Sequence, residues 1–345
     1  MEHNIKIGVT QGDINGTSYE VILKTFQEQH FSDICTPVVY GSPKVSGYYR
    51  KALNINTFNF FAANSAAEAQ HRKPNMVNVL DDNAKVEIGK STQLSVEAAM
   101  ISLNAAITDL SVNNIDAMVL SPVDVANTPD LPMGSQFAYV KQKLGLGSTL
   151  TLLVNESVKI ALLTDACPLR DAIKSVSIDN IVERLTMLSD ALKSDFGIDK
   201  PRIAVLGLNP NCAIANPDSV EQSVIKPAVE QACAKDVLAV GPIDADEVFG
   251  TSLYTKFDAV LAMYYQQGAV PFRTLDYGNG VSYMIGMSQM CVAPFQSVGF
   301  DEVCLDKVST SAFQCALYLI CDVMAQRRQY SELKSNVLQS HTLDD

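Results

Sequence analysis

Apolar residues fall along this chain in two rhythms. Short continuous runs bounded by turn residues, at Ile5 to Thr10, Pro37 to Tyr40, Ala117 to Ser121 and Arg202 to Gly207, predict strands buried on both faces. Between them lie stretches with apolar residues three and four apart. Ser91 to Leu110 carries Leu94, Ala98, Ile101 and Ala105, with Leu103, Ile107 and Leu110 alongside, a broad apolar face that predicts a helix. Thr17 to Gln29, Asn180 to Ser194, Ser219 to Lys235 and Lys307 to Arg328 predict further helices, and Pro227 should kink or interrupt the one that holds it. Thr151 to Leu163, TLLVNESVKIALL, predicts two antiparallel strands joined at Asn155-Glu156. Phe257 to Tyr264 predicts a last strand, followed by a turn at Tyr265-Gln266-Gln267-Gly268. The alternation predicts an α/β protein with mostly parallel sheets and helices on both faces.

Length refines this picture. A chain of 345 residues exceeds what one hydrophobic core usually supports, so two lobes are expected, burying roughly three quarters of the unfolded surface. A net charge of −12 argues against nucleic acid or an anionic membrane as partner, because phosphates reward clustered Lys and Arg. A small molecule or a protein fits better. No run of about 18 apolar residues occurs, and the start MEHNIKIGVT lacks the basic and apolar regions of a signal peptide, so a cytoplasmic protein is expected. Eight cysteines without a C-x-x-C pair predict reduced, buried thiols.

Two apparent nucleotide motifs fail. Gly89-Lys90-Ser91-Thr92 imitates the end of a P-loop, but the required earlier glycine is Ala84. Gly145-Leu146-Gly147-Ser148 lacks the third glycine of a dinucleotide fingerprint and follows a lysine-rich helix end. In Gly12-Asp13-Ile14-Asn15-Gly16-Thr17-Ser18, either backbone amides hold an anion at a helix start or the segment is a turn capped by Thr17 or Ser18. Asp244, Asp246 and Glu247 form either a hard-cation site or an exposed acidic loop. Arg273 lies beyond a strand end, where a parallel sheet places its ligands, and is read as either a ligand contact or a surface arginine.

Taken in order, several segments resemble the 4-hydroxythreonine-4-phosphate dehydrogenase (PdxA) family of vitamin B6 biosynthesis. The carriers are Gly8-Val9-Thr10-Gln11-Gly12-Asp13 with Asn15-Gly16 and Glu20, Ser121-Pro122-Val123-Asp124, Thr164 with Pro168-Leu169-Arg170-Asp171, Gly207-Leu208-Asn209-Pro210, Gly241-Pro242 with Asp246, and Met263-Tyr264 with Gln267-Gly268. The resemblance implies a two-lobed fold like that of the isocitrate and isopropylmalate dehydrogenases. Residues 1–122 with 293–345 would form one discontinuous lobe, and 123–292 the other, with the interdomain cleft and dimer interface. It also implies a nicotinamide cofactor, NAD, and a divalent metal held by three histidines drawn from both subunits of a dimer.

At the three metal positions this chain departs from the family. Where the family has Gly-His-Thr-Glu, Thr-His-x-Pro-Leu and Tyr-His-Asp-Gln-Gly, this chain has Gly134-Ser135-Gln136-Phe137, Asp165-Ala166-Cys167-Pro168-Leu169 and Tyr264-Tyr265-Gln266-Gln267-Gly268. Ser135, Ala166 and Tyr265 replace the ligands. The four histidines that exist, His3, His30, His71 and His341, lie elsewhere. Val125 replaces a family lysine next to Asp124, and the family's later Lys, Asn and Arg fall at Arg273, Ser282 and Cys291. Ser, Ala and Tyr do not make a zinc-type site, so no metal is expected.

Two readings follow. In the first, the chain is a non-catalytic or regulatory relative that binds a small ligand through Ser135, Gln136, Asn209, Arg273 and Ser282, as a homodimer or as a heterodimer with an intact relative. In the second it is an active enzyme, either the family's oxidoreductase or a metal-independent catalyst on a small phosphorylated or acidic substrate. For the metal-independent reaction Asp124, Asp165 and Tyr265 are the candidate catalytic groups, and Arg273 stabilises an anion.

Overall fold

A computed structural model describes residues 5–81, 84–132, 135–212, 216–305 and 307–335. Its centre is a twelve-stranded sheet. The strands are β1 (Lys6–Thr10), β2 (Thr36–Gly41), β3 (Phe61–Ala63), β4 (Asn75–Asn78), β5 (Ala117–Val119), β6 (Leu150–Val154), β7 (Lys159–Leu162), β8 (Arg202–Leu206), β9 (Leu238–Ile243), β10 (Ala259–Ala262), β11 (Val281–Ile285) and β12 (Met290–Pro294). They lie in the order β3-β4-β2-β1-β5-β12-β11-β6-β7-β10-β8-β9. All pairings are parallel except β12 with β11, β11 with β6 and β6 with β7. The fold is thus α/β with a mostly parallel sheet, as the alternation predicts. Strands such as β2 and β10 are buried along their whole length because helices cover both faces.

The covering helices are α1 (Ser18–Phe26), α2 (Gln29–Ile34), α3 (Pro43–Ala52), α4 (Gln93–Ser111), α5 (Gln136–Leu144), α6 (Leu169–Lys174), α7 (Ile178–Ser194), α8 (Lys226–Cys233), α9 (Ala245–Gly250), α10 (Tyr265–Leu275) and α11 (Ser311–Ser335). Several expectations change here. The helix expected over Thr17 to Gln29 is α1, which stops at Phe26, and a further short helix, α2, begins at Gln29. Pro227 has no N–H to give, and the backbone just before it, Glu221–Ile225, winds as a wider π turn before α8. The turn expected at Tyr265 to Gly268 is instead the opening of α10. Gln267 holds this opening, accepting from the Met263 amide at 2.7 Å and donating to the Gly207 carbonyl at 2.7 Å. Gly268 lets the helix lie flat on the sheet, since a Cβ there would approach Leu162 to 2.6 Å.

Strand alternation sorts the core. On one face a continuous cluster runs under both halves of the sheet, through Ile7, Val9, Leu152, Ala161, Val205, Leu261, Tyr283 and Val292. The opposite face holds two separate clusters. One contains Val38, Met118, Phe137, Met284 and Cys291, the other Leu153, Ile160, Leu206, Val260 and Phe272. The β11–β12 hairpin bridges the two halves, and residues 292 and 293 both lie within β12. Helix α5 packs on α4, with the Tyr139 hydroxyl donating to Asn104 at 2.9 Å.

Candidate functional site

The interruption between the two clusters is a cleft of about 410 Å³ at the carboxyl ends of the strands. The segment after β5 brings Asp124 and Val125, the start of α5 brings Ser135 and Gln136, and the segment after β7 brings Asp165 and Ala166. Helix α10 supplies Tyr265 and Arg273, β11 supplies Ser282, and β12 with the following segment supplies Ala293 and Phe295. Residues distant in sequence thus meet in one cavity of the size that small ligands occupy.

Their polar groups divide into engaged and free. Asp124 closes its own turn, accepting from the Ala126 amide at 3.2 Å and the Asn127 side chain at 2.6 Å. Burial opposes its ionisation, but hydrogen bonding from the Ser91 hydroxyl, the Asn127 side chain and the Ala126 and Asn127 amides prevails and holds the carboxyl below its ordinary range. Ser135 is the N-cap of α5, its hydroxyl oxygen accepting from the Ala138 amide at 3.1 Å. Gln136 donates to the Ser121 carbonyl at 3.1 Å, while its Oε1 is buried without a partner among the described residues. The guanidinium of Arg273 lies 4.4 Å from the centre of the Phe295 ring. Among the described residues it has no carboxylate partner, and the side chains of Asp165, Tyr265 and Ser282 make no hydrogen bond or ion pair.

One expected site residue, Asn209, and one position matched to a family arginine, Cys291, lie elsewhere. Asn209 does not line the cleft, because both its amide, at 2.8 Å, and its side chain, at 3.1 Å, donate to Glu221. Cys291 is fully buried in the core, and burial pushes its thiol well above the ordinary value. Two residues further along the same face of β12, Ala293 is the side chain that reaches the cleft. Phe295, which carries Arg273, begins the segment Phe295-Gln296-Ser297-Val298, near which the resemblance places a family Asp-His-Gly-Thr-Ala stretch that this chain lacks.

The Gly12 to Ser18 segment is a structural bracket. Asn15 and Gly16 donate their amides to Asp13, at 2.9 and 3.2 Å, and Thr17 donates to the Val298 carbonyl at 2.9 Å. The Thr17 hydroxyl also goes to Val298, at 3.0 Å, and makes no cap. Gly16 is required where this bracket closes, since a Cβ would meet the Val298 carbonyl at 2.6 Å. Burial raises the Asp13 carboxyl, against hydrogen bonds from Asn15 and Ser95 that lower it. Asp244 likewise serves a loop, accepting from the Cys212 amide at 2.8 Å, while Asp246 and Glu247 occupy the first turn of α9.

The cleft does not fit a metal held by three imidazoles. Ser135 uses its oxygen on the helix, Ala166 has no donor atom and Tyr265 presents a phenol. His30 packs against Phe31 and Tyr318, and neither it nor His71 lines the cleft. His3, Gly134 and His341 lie outside the described residues. Among the described residues no three His, Cys, Asp or Glu side chains converge as a metal site.

Comparison with known proteins places the fold and the chain. Residues 33–320 match the family described as pyridoxal phosphate biosynthetic protein PdxA. A 4-hydroxythreonine-4-phosphate dehydrogenase of Bacteroides thetaiotaomicron is 36% identical over 341 residues, 98% of this chain and 93% of that protein. The solved structure of a Klebsiella pneumoniae 4-hydroxythreonine-4-phosphate dehydrogenase superposes with a TM-score of 0.73 at 24% identity, covering 94% of this chain and 98% of the other. A terephthalate 1,2-cis-dihydrodiol dehydrogenase of Burkholderia xenovorans shares the fold more distantly, with a TM-score of 0.61 at 18% identity over 93% and 98% of the two chains.

Proposed function

The chain belongs to the PdxA family of oxidoreductases in pyridoxal phosphate biosynthesis, and from that membership we propose that it is a ligand-binding relative without the metal-dependent reaction. The observation that carries this reading is the state of the three ligand positions. Ser135 caps a helix, Ala166 carries no donor and Tyr265 carries a phenol, so nothing there replaces a Lewis acid. Such a metal stabilises a developing alkoxide by several kcal/mol, and each loss of about 1.4 kcal/mol slows turnover tenfold. Arg273, Asp165 and Ser282 remain available to a ligand. Under the same reading the chain acts as a homodimer or as the partner of an intact relative.

The test follows nicotinamide reduction by the full chain with 4-phosphohydroxy-L-threonine, with and without added Zn²⁺, Mn²⁺ or Mg²⁺, beside an intact family member. The expected result is no turnover while the control is active. Metal-stimulated turnover near the control rate overturns the reading. Turnover indifferent to metal also overturns it, and turns attention to Asp165 as a general base.

A further inference from the structure

The charges that line the cleft carry one step more. They comprise a single guanidinium, Arg273, and two carboxylates, Asp124 and Asp165. Asp124 is held ionised within its own turn, so its negative charge persists at neutral pH. Among the described residues of one chain, one arginine against two carboxylates leaves the cavity with an excess negative charge. A phosphate monoester dianion entering it meets repulsion from both aspartates and only one fork of donors. A ligand whose own charges cancel meets no such penalty.

The free groups fit such a ligand. Arg273 contacts Phe295 through the ring face, and none of its N–H groups is committed to a protein acceptor among the described residues, leaving the fork open to a carboxylate. Asp165 is exposed and uncommitted, and accepts from an ammonium. The walls are largely apolar, including Val123, Val125, Phe137 and Leu153. At β12 the side chain facing the cavity is Ala293, which brings no second cation.

Building on the ligand-binding reading above, we propose that the cleft takes an unphosphorylated, zwitterionic α-amino acid with an apolar side chain, its carboxylate on Arg273 and its ammonium on Asp165. The two charged groups of an α-amino acid share one carbon, so Arg273 and Asp165 together orient that end of the ligand. The apolar walls receive the side chain beyond them, and the cavity volume limits its size.

Calorimetric titration of the full chain near neutral pH tests this with L-alanine, L-norvaline, L-leucine and L-phenylalanine. Pentanoate and n-butylamine serve as half-ligands, and L-threonine is compared with O-phospho-L-threonine. At least one apolar amino acid is expected to bind saturably and more tightly than either half-ligand. Its affinity should fall by at least about tenfold in Arg273→Ala and again in Asp165→Asn, the loss of a charge-assisted contact. L-threonine should bind more tightly than its phosphorylated form. Tighter binding of O-phospho-L-threonine overturns the proposal, as does amino-acid binding that either substitution leaves unchanged. Failure of all four amino acids to saturate by about 10 mM, below the weak end of useful affinity, also overturns it. The ligand-binding reading fails separately, by turnover, so binding ratios and rates distinguish the two.

Discussion

Two polar clusters sit on opposite faces of β11 and differ in one respect, whether their groups are satisfied. Ser282 lines the cleft, as Arg273 and Asp165 do, with no partner for its hydroxyl among the described residues. Tyr283, the next residue, points to the other face and is fully buried. Its hydroxyl donates to Asp195 at 2.5 Å and accepts from Arg327 at 2.6 Å. Arg327 of α11 closes the triangle with a bidentate pair to Asp195, at 2.8 and 3.1 Å, and donates to the Ser288 carbonyl in the β11–β12 hairpin at 2.7 Å. This clasp ties the C-terminal helix, the end of α7 and the hairpin that bridges the two halves of the sheet. A buried polar cluster whose partners are all present contributes to the fold, whereas uncommitted groups in a cleft contribute to it little and are available to a ligand.

The sharpest way to break the comparison is to remove the charge from the satisfied side. Arg327→Met leaves the Asp195 carboxylate, 4% exposed, without its counter-ion. The expected loss is about 3–5 kcal/mol of unfolding free energy in a denaturant titration. A loss no larger than that of an exposed ion pair would show that water reaches the clasp and that the contrast between the two faces is overstated. Tyr283→Phe keeps the packing and both charges while deleting one hydroxyl, so a smaller loss of about 1–2 kcal/mol is expected from the same titration. Because Asp195 and Arg327 still meet in this variant, combining it with Arg327→Met should cost less than the two losses added.

The two faces were also unequally legible in the sequence. Continuous apolar runs gave the parallel strands β1, β2, β5, β8 and β10 but not the parallel strands β3, β4 and β9, and the Asn155 turn gave the β6–β7 hairpin, its side chain accepting from the Ser157 and Val158 amides at 2.9 Å each. Cleft residues could be located because motif order fixed which strand ends carry Asp124, Asp165, Tyr265 and Arg273. Side-chain competition was hidden. Nothing in the local pattern tells that Glu221, twelve positions on, captures Asn209. A strand repeats its facing every second residue, so pattern alone could not choose between Cys291 and Ala293 for the cleft. The clasp was invisible for a different reason. Asp195, Tyr283 and Arg327 belong to three separate elements, and each alone reads as an ordinary helix-end or strand residue.

The smallest expected effect on stability lies on the unsatisfied side. Arg273 is exposed, makes no ion pair among the described residues and rests on Phe295 by its guanidinium alone. Arg273→Ala should therefore change unfolding free energy by no more than about 0.5–1 kcal/mol, the worth of an exposed cation–π contact. Asp165→Asn, with no partner to lose among the described residues, should stay within about 0.5 kcal/mol. These small values would be measured in the same titration as Arg327→Met, so a difference of several-fold between the two faces is read against a single reference. If Arg273→Ala instead destabilised the protein as strongly as Arg327→Met, its guanidinium would be holding the cleft walls together. The cleft would then be a second structural clasp, and its polar groups would no longer be counted as free for a ligand.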